Sequence, residues 1–395
     1  MTSQPDGSMS IGRLVAADES LHHQVTNTFG AVMTSDLNWT EKIWASAFAH
    51  DGSLAVAFGL GKYLNRGVVD AYAGVAGGVT QWTVCGSRAL ALDPDTSSVG
   101  PILYEVVEPL RTTRLVLERN EIQPIAFDIT MHAVVPPALE GRELLRDANT
   151  NRVTNDVVRY HQSGGASGWV EVNGVRHEVT PDLWSSGRDH SWGVRNTVGT
   201  PPADLMPTPY PRNPMSFTSW SPVRFVRPDG SEYAMFHYFG RSNMPGQPAH
   251  KLSGGVEHAN GSIELFTSAQ WIDTTFTDDT RRFVGGTFLA TMPDASRRPL
   301  TYTPLEHGTG FHLGTGLYFG LNGARHGQWR GELHTDGDLY EHCDTPDVAR
   351  VIHQLRDCVV RVDDPLGGGT GYGVLQTIVI GEFPEHGTTL AATFI

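Results

Sequence analysis

The sequence predicts an all-β protein built from two tandem antiparallel β domains, each a barrel or a sandwich, with few short helices. Three observations lead there. Apolar residues recur with a period of two, as in "PIAFDITMHAVV", where Ile125, Phe127, Ile129 and Met131 share one face and Asp128, Thr130 and His132 the other. Turn formers are abundant, with Gly 44 and Pro 24 in 395 residues, which suits many short strands. The third is a weak internal repeat. "DGSLAVAFGLGKYLNR" from Asp51 and "DGSEYAMFHYFGRSN" from Asp229 each run through a tight turn and an apolar-aromatic strand to a glycine, a basic residue and an asparagine. Trp44 and Trp220 precede the two turns at similar distance, and the copies lie about half a chain apart, as in a duplicated β domain. A chain of this length also exceeds one ordinary core.

The elements follow in chain order. Residues 1–40 form an N-terminal extension without a long apolar run, so no signal peptide is expected. A short helix is read after Asp18. "ILYEVVE", "TTRLVLER" and "PIAFDITMHAVV" are strands of a first domain over 41–197. "WVEVNGVRHEV" is a hairpin, because Asn173-Gly174 supplies the two positive-φ positions of a type I′ turn. "WSSGRDHSWGVR", Trp184 to Arg195, closes the domain. The proline-rich, unpatterned "VGTPPADLMPTPYPRNP", 198–214, reads as a linker. The second domain, 215–395, opens with "YAMFHYFGRSN", apolar-aromatic on both faces and so buried on both. "RHGQWRGELHTDGD" reads as an extended segment with His326, Gln328, Arg330, Glu332 and His334 on one face. "TPDVARVIHQLRDC" is the one clear helix, with Thr345 as cap and Pro346 in the first turn. "YGVLQTIVIG" is a late strand.

Composition narrows the function. Hydrophobic residues at 39% against 18% charged make a buried core feasible and disorder unexpected. A net charge of −14 disfavours nucleic acid as a partner. No apolar run reaches the roughly 20 residues of a spanning helix. Three cysteines, Cys85, Cys343 and Cys358, without a CxxC pair fit reduced thiols and a cytoplasmic location. The "NWT" at Asn38 has the form of a glycosylation acceptor, of little weight without a secretion signal. A homodimer is compatible with all of this.

The chemistry concentrates at "WSSGRDHSWGVR". Strand alternation puts Arg188, His190 and Trp192 on one face, Asp189, Ser191 and Arg195 on the other. Asp189 and His190 therefore cannot simply work side by side. One reading is an ordinary charged strand with an internal Arg–Asp pair; the other has one face lining a cavity. Glycines 187 and 193 permit a bulge.

"GRDHSWG" resembles the signature of tandem lipocalin-like proteins, a family that includes carotenoid 1,2-hydratases (hydroxyneurosporene synthases), kievitone hydratase and fungal lipocalin-like cyclases. The "DGS" strands, "HGQWRGELHTDGD" and the late "GYG" extend the likeness loosely over most of the chain, and only "GRDHSWG" is specific. The resemblance implies two lipocalin-like β-barrels or sandwiches. It also implies a hydratase or dehydratase acting on a hydrophobic isoprenoid, steroid or aromatic molecule, with Asp189 as the acid that protonates a carbon–carbon double bond. The other hydratase residues have no matching positions here.

Residue chemistry supports the idea independently. Protonating an unactivated alkene needs an acid that is neutral at working pH, so a carboxyl must be buried in apolar surroundings, and aromatic faces must stabilise the cation. Trp184 and Trp192 flank Asp189, with Trp271 and Trp329 as contributors from the second domain. An arginine beside Asp189 would lower its pKa and make His190 the better acid. The expected substrate-binding set is Arg188, Trp192, Arg195, Tyr238, Trp271, His326, Trp329, Glu332 and Tyr372. Each has a plainer reading: the polar run 326–334 as a solvated strand face, Tyr238 and His237 as core. No cofactor is expected. A metal is not expected either, since the 17 histidines form no HExxH and consecutive ligands such as "EHCD" at Glu341 rarely converge on one ion. Nor is there a GxSxG elbow or a phosphate loop; "GGGTGYG" lacks the lysine. Two rivals remain: a lipophile-binding protein without a reactive acid, and a cofactor-free isomerase or cyclase.

Overall fold

The computed structural model describes residues 14–21, 23, 34–90, 96–305 and 308–394. It is almost entirely antiparallel strand. The first half supplies β1 (Trp39–Ala49), β2 (Ala55–Tyr63), β3 (Val68–Gly77), β4 (Thr80–Ala89), β5 (Ser98–Val99), β6 (Ile102–Glu108), β7 (Thr112–Leu117), β8 (Ile125–Ala133), β9 (Ala138–Arg146), β10 (Val153–Val172), β11 (Val175–Val179) and β12 (Trp184–Arg195). The second half supplies β13 (Ser216–Val226), β14 (Glu232–Ser242), β15 (His250–His258), β16 (Ile263–Leu265), β17 (Ser268–Phe276), β18 (Phe283–Thr291), β19 (Arg297–Pro304), β20 (Gly310–His312), β21 (Leu333–Tyr340), helix α1 (Pro346–Ile352), β22 (Arg356–Asp364) and β23 (Gly369–Ile380). They form two curled, barrel-like or half-barrel antiparallel sheets.

The predicted alternation holds where a strand has one wet face. β8 buries Ile125, Phe127, Ile129 and Met131 and leaves His132 exposed. The Asn173-Gly174 turn has both residues at positive φ, 52° and 78°, as the hairpin β10–β11 requires. The two DGS turns lie between β1 and β2 and between β13 and β14, with Gly52 and Gly230 at φ 75° and 81°.

Each sheet wraps its own core. Odd-numbered residues of β1 (Ile43, Ala45, Ala47) join Val56, Phe58 and Leu60 of β2 and Phe127 of β8 inside the first sheet. Phe217, Phe225, Trp271, Phe288 and Tyr302 fill the second. A third apolar layer lies between the sheets. There Trp44, Phe48 and Tyr72 meet Trp220, Phe236, Val359 and Val374, and the indoles of Trp44 and Trp220 cross edge-to-face at 5.1 Å. β14 is buried on both faces because one looks into the second core and the other into this layer.

Three local readings are corrected. Residues 325–332 are not extended: they form a turn and loop, and a strand begins only at Leu333. That strand, β21, pairs with β4 from Leu333↔Arg88 to Tyr340↔Gln81, so the second half of the chain completes the first sheet. The predicted long helix stops at Ile352. His353 takes φ 70°, its ring stacks on Phe319 at 4.2 Å and its Nδ1 accepts the Leu355 amide at 2.9 Å, and Arg356 starts β22. The short helix near Asp18 is one 3-10 turn, Ala16–Glu19, which ends just after Asp18. Residues 198–214 contain neither helix nor strand.

Candidate functional site

β12 is held between β1 and β10, with Trp44 and His161 opposite Asp189 and with Ile43 and Tyr160 opposite His190. Its even-numbered side chains enter the first sheet. The Arg188 guanidinium donates to both oxygens of Glu19, at 2.7 and 2.8 Å, and to the Gln162 carbonyl. His190 Nε2 lies 2.8 Å from Glu41 Oε1 and Nδ1 lies 3.1 Å from the Tyr160 hydroxyl. Trp192 stacks on His23 at 3.6 Å. The N-terminal extension therefore supplies Glu19, Leu21 and His23 to this interior.

The odd-numbered face looks the other way, into the layer between the sheets. Asp189 has a side chain 15% exposed and a single arginine contact, 3.3 Å from Arg159 Nε, not a bidentate pair. Arg159 also meets Glu140 at 3.3 Å. Glu140 accepts from Trp220 Nε1 at 3.1 Å and faces His161 Nδ1 at 3.2 Å, and His161 Nε2 reaches Glu257 of the second sheet at 2.5 Å. Burial opposes the charge of His161, but Glu257 and Glu140 overcome it and lift the imidazole to about 9.

Across the layer, β22 presents Asp357, which is fully buried. Trp44 Nε1 donates to it at 3.1 Å and Gln376 Nε2 at 2.7 Å. Burial pushes its carboxyl up to about 7, more than those two hydrogen bonds pull it down, and the negative charge of Asp189 adds to the rise. Burial also raises Asp189; Glu140 helps, while Arg159, Arg195 and Lys42 oppose. Two carboxyls from opposite sheets thus share one aromatic layer, both raised by burial, and only Asp189 has a cation beside it. Both halves of the repeat build it. Trp44 of the first repeat reaches Asp357 in the second sheet, and Trp220 of the second reaches Glu140 in the first.

The expected residues separate into groups. Asp189 and Arg195 lie in the layer. Tyr238 joins them, with Lys251 Nζ 3.6 Å over its ring, and Tyr372 sits at the margin, stacked on His50 at 3.9 Å. His326 is buried there too, 2.8 Å from Lys42 Nζ and 3.5 Å from Asp70. Arg188, His190 and Trp192 occupy the first interior. Trp271 is inside the second, packed on Phe288 and Tyr302 and donating to Ser219. Trp329 and Glu332 are exposed on the loop before β21 and join neither group.

Two residues had no sequence signal strong enough to single them out. Asp357 falls inside the stretch read as helix; read as a strand, "RDCVVRVD" places it on the same face as Val359, with Asp363 at the far end of that face. Lys42 is buried with its ammonium 3.5 Å over Tyr318, and burial together with Arg195 brings it down to about 7. A surface cleft of about 1030 Å³, bordered by Leu14, Pro109, Arg111, His132 and Asn260, touches none of the layer residues.

The model of DUF8625, a family of unknown function, matches residues 14–389. The chain belongs to this family. No curated protein matches it. Among solved structures, this DUF8625 member is similar to a protein assigned as AttH from Nitrosomonas europaea, at 12% identity and TM-score 0.48 over 86% of this chain and 91% of that one. It is also similar to kievitone hydratase from Nectria haematococca, at 11% identity and TM-score 0.40 over 86% and 88%. A third is CghA with Sch210972, at 12% identity and TM-score 0.41 over 92% and 98%. These neighbours thus include kievitone hydratase, a member of the group that "GRDHSWG" resembles. Among the described residues, no helix is long and apolar enough to cross a membrane.

Proposed function

We propose that the protein adds water to, or removes it from, a carbon–carbon double bond or alcohol of a hydrophobic small molecule, by acid catalysis in the layer between the sheets. One observation carries this reading: Asp357 is a fully buried carboxyl facing Asp189 across an aromatic layer, with no cation paired to it among the contacts of the described residues. Such a carboxyl keeps a large protonated fraction near pH 7 and is able to donate.

In the hydration direction Asp357 gives its proton to one alkene carbon, and the π pair forms the new C–H bond. The carbocation is stabilised by the faces of Trp44, Tyr72, Trp220 and Tyr318. Water attacks the cation, and its surplus proton goes to the Asp189 carboxylate, which Arg159 orients. Dehydration is the reverse. The donor assigned here is Asp357 rather than Asp189, because Arg159 lies 3.3 Å from Asp189 whereas the hydrogen-bond partners of Asp357 are the neutral Trp44 and Gln376. The "GRDHSWG" resemblance implies the same class of reaction, with Asp189 rather than Asp357 as the acid.

The test is turnover of a panel of isoprenoid, steroid and aromatic alkenes and tertiary alcohols in ¹⁸O-labelled water. Wild type is expected to incorporate the label, and Asp357→Asn and Asp189→Asn to lower the rate by at least about 10²-fold while remaining folded by circular dichroism. Turnover without label identifies a cyclase or isomerase. Binding that is unchanged in Asp357→Asn, with no turnover by wild type, leaves a lipophile carrier.

A further inference from the structure

The other face of β12 holds a second group that the acid chemistry does not use. His23 of the N-terminal extension, Glu41 of β1 and His190 of β12 bring one ligand atom each within 4.8 Å of one another. His23 Nδ1 is 2.6 Å and His190 Nε2 is 2.8 Å from the same Glu41 oxygen, Oε1. Glu41 and His190 are fully buried, and His23 is 15% exposed. The residues are 18 and 149 positions apart in sequence, so no spacing motif announces them.

The surrounding hydrogen bonds decide what each nitrogen carries. Arg188 donates to both Glu19 oxygens and the Leu110 amide donates to one of them at 2.6 Å, so Glu19 is an anion that only accepts. The Tyr160 hydroxyl therefore spends its proton on Glu19, at 2.8 Å, and offers only a lone pair to His190 Nδ1. That nitrogen must be protonated. In neutral His190 the remaining lone pair is then on Nε2, pointing at Glu41. His23 Nδ1 faces Glu41, and its Nε2 lies 3.6 Å from the Asp18 carboxylate, beyond hydrogen-bond distance. The second Glu41 oxygen accepts the His23 amide at 3.0 Å, which fixes the carboxylate plane.

With both imidazoles neutral and protonated on the outer nitrogen, three lone pairs converge on one point, and the Tyr160 oxygen is the outer acceptor that sets the His190 tautomer. That outer pattern is the one metal-bound histidines show. Two added protons would reconcile the three groups, and so would one divalent cation with the same charge. Lys62, opposite Glu41 in the register, is buried on the same interior face.

We propose that His23, Glu41 and His190 form a mononuclear site for a divalent transition-metal ion at the mouth of the first sheet, tying the N-terminal extension to β1 and β12. Two imidazoles and one carboxylate suit zinc or iron(II), with the remaining position left to water. Bonds of about 2.1 Å in tetrahedral geometry separate ligand atoms by about 3.4 Å, so the three side chains open by several tenths of an ångström when the ion enters.

The experiment uses the full chain, stripped with chelator, reloaded with excess Zn²⁺, desalted and analysed for metal. About one zinc per chain is expected in wild type and at least about tenfold less in His23→Ala, with the fold of the variant checked by circular dichroism. Tyr160→Phe removes the hydroxyl that orients His190 and is expected to weaken Zn²⁺ binding by about 10- to 100-fold. Loading with Co²⁺ should give visible d–d bands in wild type that His23→Ala lacks. Equal zinc in wild type and His23→Ala would mean scattered surface histidines bind it, and would overturn the proposal, as would no zinc in wild type. Asp357→Asn should load normally, which keeps this test separate from that of the acid chemistry.

Discussion

Asp357 makes the protein's stability depend on pH in a specific way. Its folded value of about 7 lies above the ordinary 3.8, so the folded chain keeps a proton that the unfolded chain releases. The contribution is greatest below about pH 4, declines as pH rises to about 7, and is level above that, a span on the order of 4 kcal/mol. Asp357→Asn should flatten this slope. Urea midpoints of wild type and variant at a series of pH values from about 4.5 to about 8 measure it, and parallel curves would show that the carboxyl titrates normally. Arg188 gives the second prediction at this scale. It is 3% exposed and depends on Glu19, so Glu19→Gln leaves a buried charge without its counterion. The expected cost is roughly 3–5 kcal/mol in chemical denaturation. A loss under about 1 kcal/mol would mean the extension is not held in the first sheet.

Among the elements, β12 carries most of the functional content. Its strand form and its division into two faces were legible, because alternation is a local property and both Gly187 and Gly193 stay within the strand. What each face meets was not legible. His190 finds Glu41, and Asp189 finds Arg159, through register with β1 and β10, whose partners are up to 149 residues away. The helix α1 failed for a related reason. "TPDVARVIHQLRDC" has helical spacing throughout, yet Gln354 is withdrawn to bind the Val379 amide and the Phe394 carbonyl, and Arg356 is claimed by β22. Propensity is a weak prior against such pairings. β21 could not be placed from its own residues either, since its partner β4 lies in the other half of the chain.

At the scale of the molecule, the two sheets are bound by polar contacts that neither can satisfy alone. Trp44 donates to Asp357, His161 meets Glu257, and Gln81 is held by His312 and Thr315. β21 covers the edge of β4. Split within 198–214, the halves are therefore expected to be insoluble when expressed singly and to form a soluble one-to-one complex when expressed together. A first half that is monomeric and unfolds cooperatively by itself would contradict this. The sequence by itself determined the all-β class, the two DGS hairpins, the Asn173-Gly174 turn and the alternation of β12, because each follows from periodicity or turn chemistry within a few residues. Only the tertiary structure decided that Asp189 faces Asp357 while His190 faces Glu41 and His23. The proton affinity of a buried carboxyl depends on which distant charges surround it, and that is fixed when the sheets pack.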